Sequence, residues 1–351
     1  MKLKKKWDMK PVGVRAAFIT AAGGILVALI GGGFLLANTL ISKPKPEEKP
    51  EPPQPEQVQA DDSIKPKRYN LNYRRAEAQE EQLNYEEALR LYLQAAEDYG
   101  EEDNFDRAAA LSNAGIMHGR LEQYEEASKC FIEAQAIYNG NPEANQVELS
   151  RIYNGFGNVL RRQGAYEKAL IWYNKALVIR ENMLGKDHLD TAVTYHNIAL
   201  LYSDQGEYEK ALEWHFKELA IKEKVLGKEQ TDTAETYNTI ATLYTIQREY
   251  EKALFWYEKA LAIRENVLGN DHPDTARSYR GIANVYYGQI NFDDAFTYYL
   301  RALRIDIDRL GSEHSETKSC LTSLRGVYKR SGLPEPFDDW LASQGISLPP
   351  P

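Results

Sequence analysis

The side chains with most chemistry to offer fall into two clusters, Arg151, Asn154, Asn158, Arg161 and Arg162, and then Arg277, Arg280, Asn284 and Tyr287. Their spacings of three, four and seven put each cluster on one face of a helix. Arg120, His196 and Asn238 take comparable places elsewhere, and the only acids with them are Asp204 and Glu235. Guanidinium groups make charge-assisted hydrogen bonds to carboxylates. An asparagine amide can bond both the N–H and the C=O of an extended peptide. Such a face suits capture of an extended or acidic segment. Arginines near a helix end can instead cover a tight turn, as Arg161-Arg162-Gln163-Gly164 could, and the residues alone leave both readings open.

The elements that must carry these residues are set by a repeat. The tetrads beginning at Tyr85, Tyr124, Tyr166, Tyr208, Tyr250 and Phe292 start 39, 42, 42, 42 and 42 residues apart. Gly185, Gly227, Gly269 and Gly311 keep the same beat, as do Thr191, Thr233, Thr275 and Thr317. Fixed self-similarity at this period means a solenoid of stacked units. Each unit reads as two helices. Tyr153, Phe156, Gly157 and Leu160 form an apolar stripe ended by Gly164, and a second helix runs from near Tyr166 to Leu184-Gly185. Asp232, with Glu235 three residues on, reads as a capping box. Small residues at Gly157, Ala199, Ala241 and Ala283 face Ala169, Ala211, Ala253 and Ala295, while Tyr173, Tyr257 and Tyr299 fill the space between repeats.

These features resemble the tetratricopeptide repeat in its 42-residue kinesin-light-chain form, whose loop signature is seen in Leu184-Gly-Lys-Asp-His-Leu-Asp-Thr191 and Leu268-Gly-Asn-Asp-His-Pro-Asp-Thr275. The expected fold is all-α: a right-handed α-solenoid of about six helix-turn-helix repeats plus a C-terminal capping helix, preceded by one transmembrane helix. The repeats fall near 69–104, 105–146, 147–188, 189–230, 231–272 and 273–314, with a cap at 315–332 and a tail at 333–351. The resemblance implies a protein-binding scaffold whose first helices line a concave groove, with Asn154, Asn158 and Asn238 bonding a peptide backbone. The lysine-and-asparagine clamp of chaperone-tail-binding members is absent. First-unit Arg75 and Gln79 depart from the apolar pattern, and His215 and Glu218 replace Tyr and Ala in the fourth unit, where a looser joint is expected.

Ahead of the repeats, residues 16–41 contain no charge, enough to cross a hydrocarbon core of about 30 Å. Lys2, Lys4, Lys5, Lys6, Lys10 and Arg15 precede them, placing residues 1–15 in the cytosol and the body on the far side. Gly24, Ala28 and Gly32 form a small-residue ridge that could pair two spans. Residues 42–68 hold seven of the fifteen prolines and form an extended spacer. Residues 1–60 carry 9 Lys+Arg against 5 Asp+Glu, leaving 34 against 47 for the body, a balance that repels nucleic acid. Cys130 and Cys320 lie too many repeats apart to bridge. His188, His272 and His314 recur in the loops, but Gln230 interrupts them and they form no metal set. Gly155-Phe-Gly157 is explained by helix packing, and no cofactor or enzymatic signature is present.

The reading is therefore a membrane-anchored adaptor binding a protein or peptide partner in a basic groove through Arg120, Arg151, Asn154, Asn158, Arg161, Arg162, His196, Asn238, Arg277, Arg280 and Asn284. A self-associating envelope scaffold without a peptide ligand, and a regulator of an enzyme, are the alternatives.

Overall fold

A computed structural model describes residues 70–99, 104–143 and 145–346. The expected span, its Gly24, Ala28 and Gly32 ridge and the spacer lie outside the described residues. Among the described helices none is long and apolar enough to cross a membrane.

Fourteen helices follow one another, and no strand occurs among the described residues. Six pairs come first: α1 Leu71–Glu81 with α2 Tyr85–Tyr99, α3 Asn104–Arg120 with α4 Tyr124–Tyr138, and α5 Gln146–Arg162 with α6 Tyr166–Met183. Next are α7 Leu189–Asp204 with α8 Tyr208–Val225, α9 Thr231–Ile246 with α10 Tyr250–Val267, and α11 Pro273–Gly288 with α12 Phe292–Leu310. Each first helix packs on its partner, each second helix also packs on the first helix of the next pair, and α3 touches α5, α5 touches α7 and α9 touches α11. The odd-numbered helices thus share one face.

Inside a pair, closeness depends on residues without bulk. Ala88, Ala127, Ala169, Ala211, Ala253 and Ala295 are all fully buried. A Cβ on Gly157 would lie 2.3 Å from Tyr173 of the paired α6, and across to the preceding pair one on Gly155 would lie 2.4 Å from the Phe131 ring of α4. Close approach explains both glycines of Gly155-Phe-Gly157. Trp172, Trp214 and Trp256 pack at a tilt against Tyr153, Tyr195 and Tyr237, each indole covered by the ammonium of Lys175, Lys217 or Lys259.

Between pairs, the 42-residue beat has a physical cause. Gly185, Gly227, Gly269 and Gly311 adopt φ of 96°, 100°, 91° and 88°, where a side chain is strained. Their N–H groups bond back to the carbonyls of Arg180, Lys222, Arg264 and Asp306. Their own carbonyls accept the hydroxyls of Thr191, Thr233, Thr275 and Thr317 at 2.7–2.8 Å, which ties each second helix to the following first helix. The recurring histidines cap those first helices: Nδ1 of His188, His272 and His314 accepts the N–H two residues on. At the fourth such helix, the N-cap is Gln230 and its side chain makes no capping bond. Asp232 therefore sits in the first turn of α9 rather than opening it as a capping box.

The C-terminal end also differs from expectation. Helix α13 Ser315–Ser331 stops at Gly332 in the left-handed conformation. Pro334 and Pro336 do not end the packed structure, because a short α14, Phe337–Ser343, opens immediately after Pro336. Proline is acceptable before a first turn, where its missing N–H has no partner to lose. Trp340, Leu341 and Ile346 are buried against Phe296 and Tyr328. The stretch expected as tail thus completes the cap.

Candidate functional site

Three of the first helices meet around a cavity of about 340 Å³. Helix α3 contributes Gly115, Ile116, Gly119 and Arg120, helix α5 contributes Asn158, Arg161 and Arg162, and helix α7 contributes His196, Asn197 and Leu200. Its apolar lining is Ile116, Phe131, Val159 and Leu200. Five of the expected site residues therefore share one cavity.

Their availability differs. Arg162 is exposed, lines the cavity and forms no ion pair among the described residues. Arg120 lies over the Tyr85 ring, 4.8 Å from its centroid, donates to the Tyr85 hydroxyl and stands 3.8 Å from Glu80. Arg161 is mostly enclosed. Its Nη1 is paired with Asp204, while its Nε is buried without an acceptor. Asn158 spends its carbonyl oxygen on the Tyr173 hydroxyl at 2.7 Å, leaving the amide N–H donors for a ligand.

The remaining expected residues are dispersed along the odd-helix face and mostly occupied. Arg151 is exposed on α5, and Arg277 pairs with Glu235 at 3.7 Å. Asn284 accepts the Tyr299 hydroxyl. Arg280 bridges Asp306 at 2.6 Å and also pairs with Glu316. The sequence reading counts Arg161 and Arg280 among the partner-binding cations of the groove, yet both are already paired within the chain. The structure corrects this, because helices stacked one repeat apart bring Asp204 and Glu316 within reach.

Asn154, His196, Asn238 and Arg280 hold one repeat position on the first helices, and Arg180, Lys222, Arg264 and Asp306 hold another on the second helices, where Arg264 donates to Asn238 and Asp306 accepts from Arg280. Arg180 Nη1 donates to the Asp190 carbonyl and to Thr194 Oγ1, and its Nε donates to Ser150. Lys222 reaches the Asp232 carbonyl and Thr236, and Arg264 the Asp274 carbonyl, Ser278 and Asn238. These cations hold the opening turn of the next helix, where backbone carbonyls accept their protons. Burial lowers the Arg180 guanidinium to about 10 despite the nearby Asp190. Asn154 is buried by the same network and donates to Thr194, so it has little left for a peptide. No inspection of charge alone would find this network, but the 42-residue recurrence of Arg180, Lys222 and Arg264 signals it.

In the fourth pair the network gains a buried carboxylate. Glu218 Oε2 accepts from Nδ1 of His215 at 2.8 Å and of His196 at 3.1 Å, and Oε1 accepts from Lys222 at 2.8 Å and Thr236 at 3.0 Å. Burial alone would raise this carboxyl. The histidine hydrogen bonds and the neighbouring charges outweigh it, and the group is held far below the usual carboxylate range. Glu218 thereby links α8 to His196 on α7 and to Thr236 on α9, with His215 bonded to it from the same helix.

Paired helices stacked with a 42-residue beat and a shared odd-helix face define an all-helical repeat solenoid. The chain carries tetratricopeptide repeats: the model of that family matches residues 148–224, 204–266 and 232–308. No curated protein matches the chain. Among solved structures, BtubC (BKLC) from P. vanneervenii is similar at 20% identity and TM-score 0.57, over 66% of this chain and 94% of that one. A signal transduction ATPase with numerous domains and a tetratricopeptide repeat sensor, PH0952 from Pyrococcus horikoshii, is similar at 16% identity and TM-score 0.54, over 74% of this chain and 38% of that one. A Rap protein complexed with Competence and Sporulation Factor is similar at 17% identity and TM-score 0.50, over 74% of each chain. These likenesses establish the fold. A scaffold of this kind is suited to protein–protein interaction.

Proposed function

We propose that the chain is a membrane-anchored adaptor that takes an extended, acidic segment of a partner protein along the odd-helix face. The anchor is the uncharged stretch at 16–41, the spacer 42–68 carries the solenoid clear of the bilayer, and the solenoid lies outside the cytosol. Catalysis is left to the partners. The observation that carries the reading is the α3–α5–α7 cavity, which Arg120, Arg162 and Asn158 line together with Ile116, Phe131, Val159 and Leu200. A carboxylate would take the guanidinium donors while a neighbouring apolar side chain enters the cavity. Arg161 has one buried N–H still lacking an acceptor, which a ligand oxygen would satisfy.

Photocrosslinking tests the location. A benzophenone amino acid at Arg162, and another at the outer-face residue Lys252, would be challenged with an acidic extended peptide and with its scrambled basic counterpart. Crosslinking of the acidic peptide from Arg162 alone is expected. Crosslinking only from Lys252 would move the binding surface to the opposite face and remove the groove reading.

A further inference from the structure

The fourth pair departs from its siblings at two buried places that meet. Tyr92, Phe131, Tyr173, Tyr257 and Tyr299 occupy the position that is His215 in α8, and Ala95, Ala134, Ala176, Ala260 and Ala302 occupy that of Glu218. His215 and Glu218 are 0% and 1% exposed. The same fold is therefore built five times with an aromatic ring over alanine, and once with an imidazole over a buried carboxylate. Burying ions where well-packed apolar residues suffice gains little stability. The exchange calls for a ligand.

The geometry points to a divalent transition-metal site formed by His196, His215 and Glu218. One ligand atom from each lies within 4.8 Å of the others, and both Nδ1 atoms are directed at the same oxygen, Glu218 Oε2, at 3.1 and 2.8 Å. Donors about 2.0–2.1 Å from zinc are about 3.3 Å apart along the edges of a tetrahedron. Spreading the two hydrogen-bonded contacts by a few tenths of an ångström creates that face, with the metal replacing the bridging protons. Two imidazoles and a carboxylate suit Zn²⁺, Co²⁺, Ni²⁺ or Cu²⁺ rather than Ca²⁺ or Mg²⁺. Lys222 and Thr236 engage Oε1, so the carboxylate is oriented to offer one oxygen, as outer-shell partners of metal ligands do.

The site opens toward the cavity. His196 is partly exposed and is one of the residues lining it, so water or a ligand group can complete the coordination sphere from that side. Two features keep the binding reversible. Lys222 places a positive charge beside the metal, and coordination through Nδ1 moves the His215 ring proton to Nε2, which is buried without a partner. The affinity is accordingly below that of closed zinc sites, and the ion is gained and lost through the groove.

Metal-stripped full-length protein titrated with Co²⁺ tests this, with bound ion measured by equilibrium dialysis and coordination by visible absorption. One variant is His215→Tyr with Glu218→Ala, which installs the pair used by the other repeats; a second is His196→Asn, the residue type at Asn154 and Asn238. His272→Gln, matching Gln230, controls for adventitious binding at loop histidines, and circular dichroism verifies folding of each. One strongly absorbing Co²⁺ per chain is expected, unchanged in His272→Gln and weakened at least about tenfold in both variants. A wild type that binds no more Co²⁺ than the double variant, or a variant of either kind that keeps the site, overturns the proposal and leaves a hydrogen-bonded cluster only.

Discussion

Exchanging Arg280 and Asp306 for the residues one repeat earlier, Asn238 and Arg264, asks whether this position is structural. Arg280 is 14% exposed and Asp306 1%, and Asp306 Oδ1 already lacks a donor. Arg280→Asn alone would strip the remaining carboxylate oxygen of its guanidinium and leave a buried charge uncompensated, at a cost of about 3–5 kcal/mol. Asp306 already titrates above the ordinary aspartate value because burial outweighs its arginine. Removing Arg280 raises it further, so the loss should shrink as pH falls and Asp306 protonates. Asp306→Arg alone would place two guanidinium groups together, at similar cost. The double variant Arg280→Asn with Asp306→Arg rebuilds the fifth-repeat arrangement, in which Arg264 bonds Asn238 and the next helix's opening carbonyl. It should return to within about 2 kcal/mol of wild type, a coupling at or above the roughly 0.5–3 kcal/mol usual for contacting residues. Urea unfolding followed by circular dichroism measures the stability, and hydrogen exchange across α11 to α13 locates it, since repeat arrays open locally. Single variants costing under about 0.5 kcal/mol, or a double variant as destabilised as their sum, would refute the reasoning.

Other changes follow from the same geometry. Ile290 is 63% exposed and holds φ of 62°, whereas Gly164 and Gly206 occupy the equivalent turns of the third and fourth pairs; Ile290→Gly should stabilise thermal unfolding by about 1 kcal/mol. Gln230→Asp should add a side-chain cap to α9 and stabilise by about 0.5–1 kcal/mol, while His272→Ala should lose a cap and cost about as much by the same melting assay. Glu218, held below the ordinary glutamate value of 4.5, contributes stability that is fully present above that value and lost as pH falls toward the folded pKa. Acid unfolding of His215→Tyr with Glu218→Ala should therefore lack part of the wild-type slope below about pH 4.5, and identical slopes would argue against an ionised Glu218.

Spacing made the fold legible, because Gly185 and Thr191 and their counterparts close the same hydrogen-bonded joint in every repeat. Ala169 and Gly157 were equally readable, since close helix packing admits few residue types. The site was legible in part. Residue spacing brought Asn158, Arg161 and Arg162 to one face, but which arginines are free depends on the distance to Asp204 and Glu316 in neighbouring repeats, which no local pattern encodes. The buried cations Arg180 and Arg264 were hidden by their charge, which ordinarily implies exposure; neutral carbonyl and hydroxyl acceptors solvate them. Helix α14 was hidden by Pro334 and Pro336, which can end a helix but can equally precede one.

The adaptor reading stands most directly on the exposed charge of the cavity. Fluorescence anisotropy of a labelled acidic peptide with wild type, with Arg120→Glu plus Arg162→Glu, and with the outer-face pair Lys168→Glu plus Lys252→Glu measures it. The account predicts at least about tenfold weaker binding for the groove pair, about 1.4 kcal/mol, with little change for the outer pair and a loss of affinity as salt rises. Equal binding by wild type and the groove pair, or loss confined to the outer pair, would contradict it.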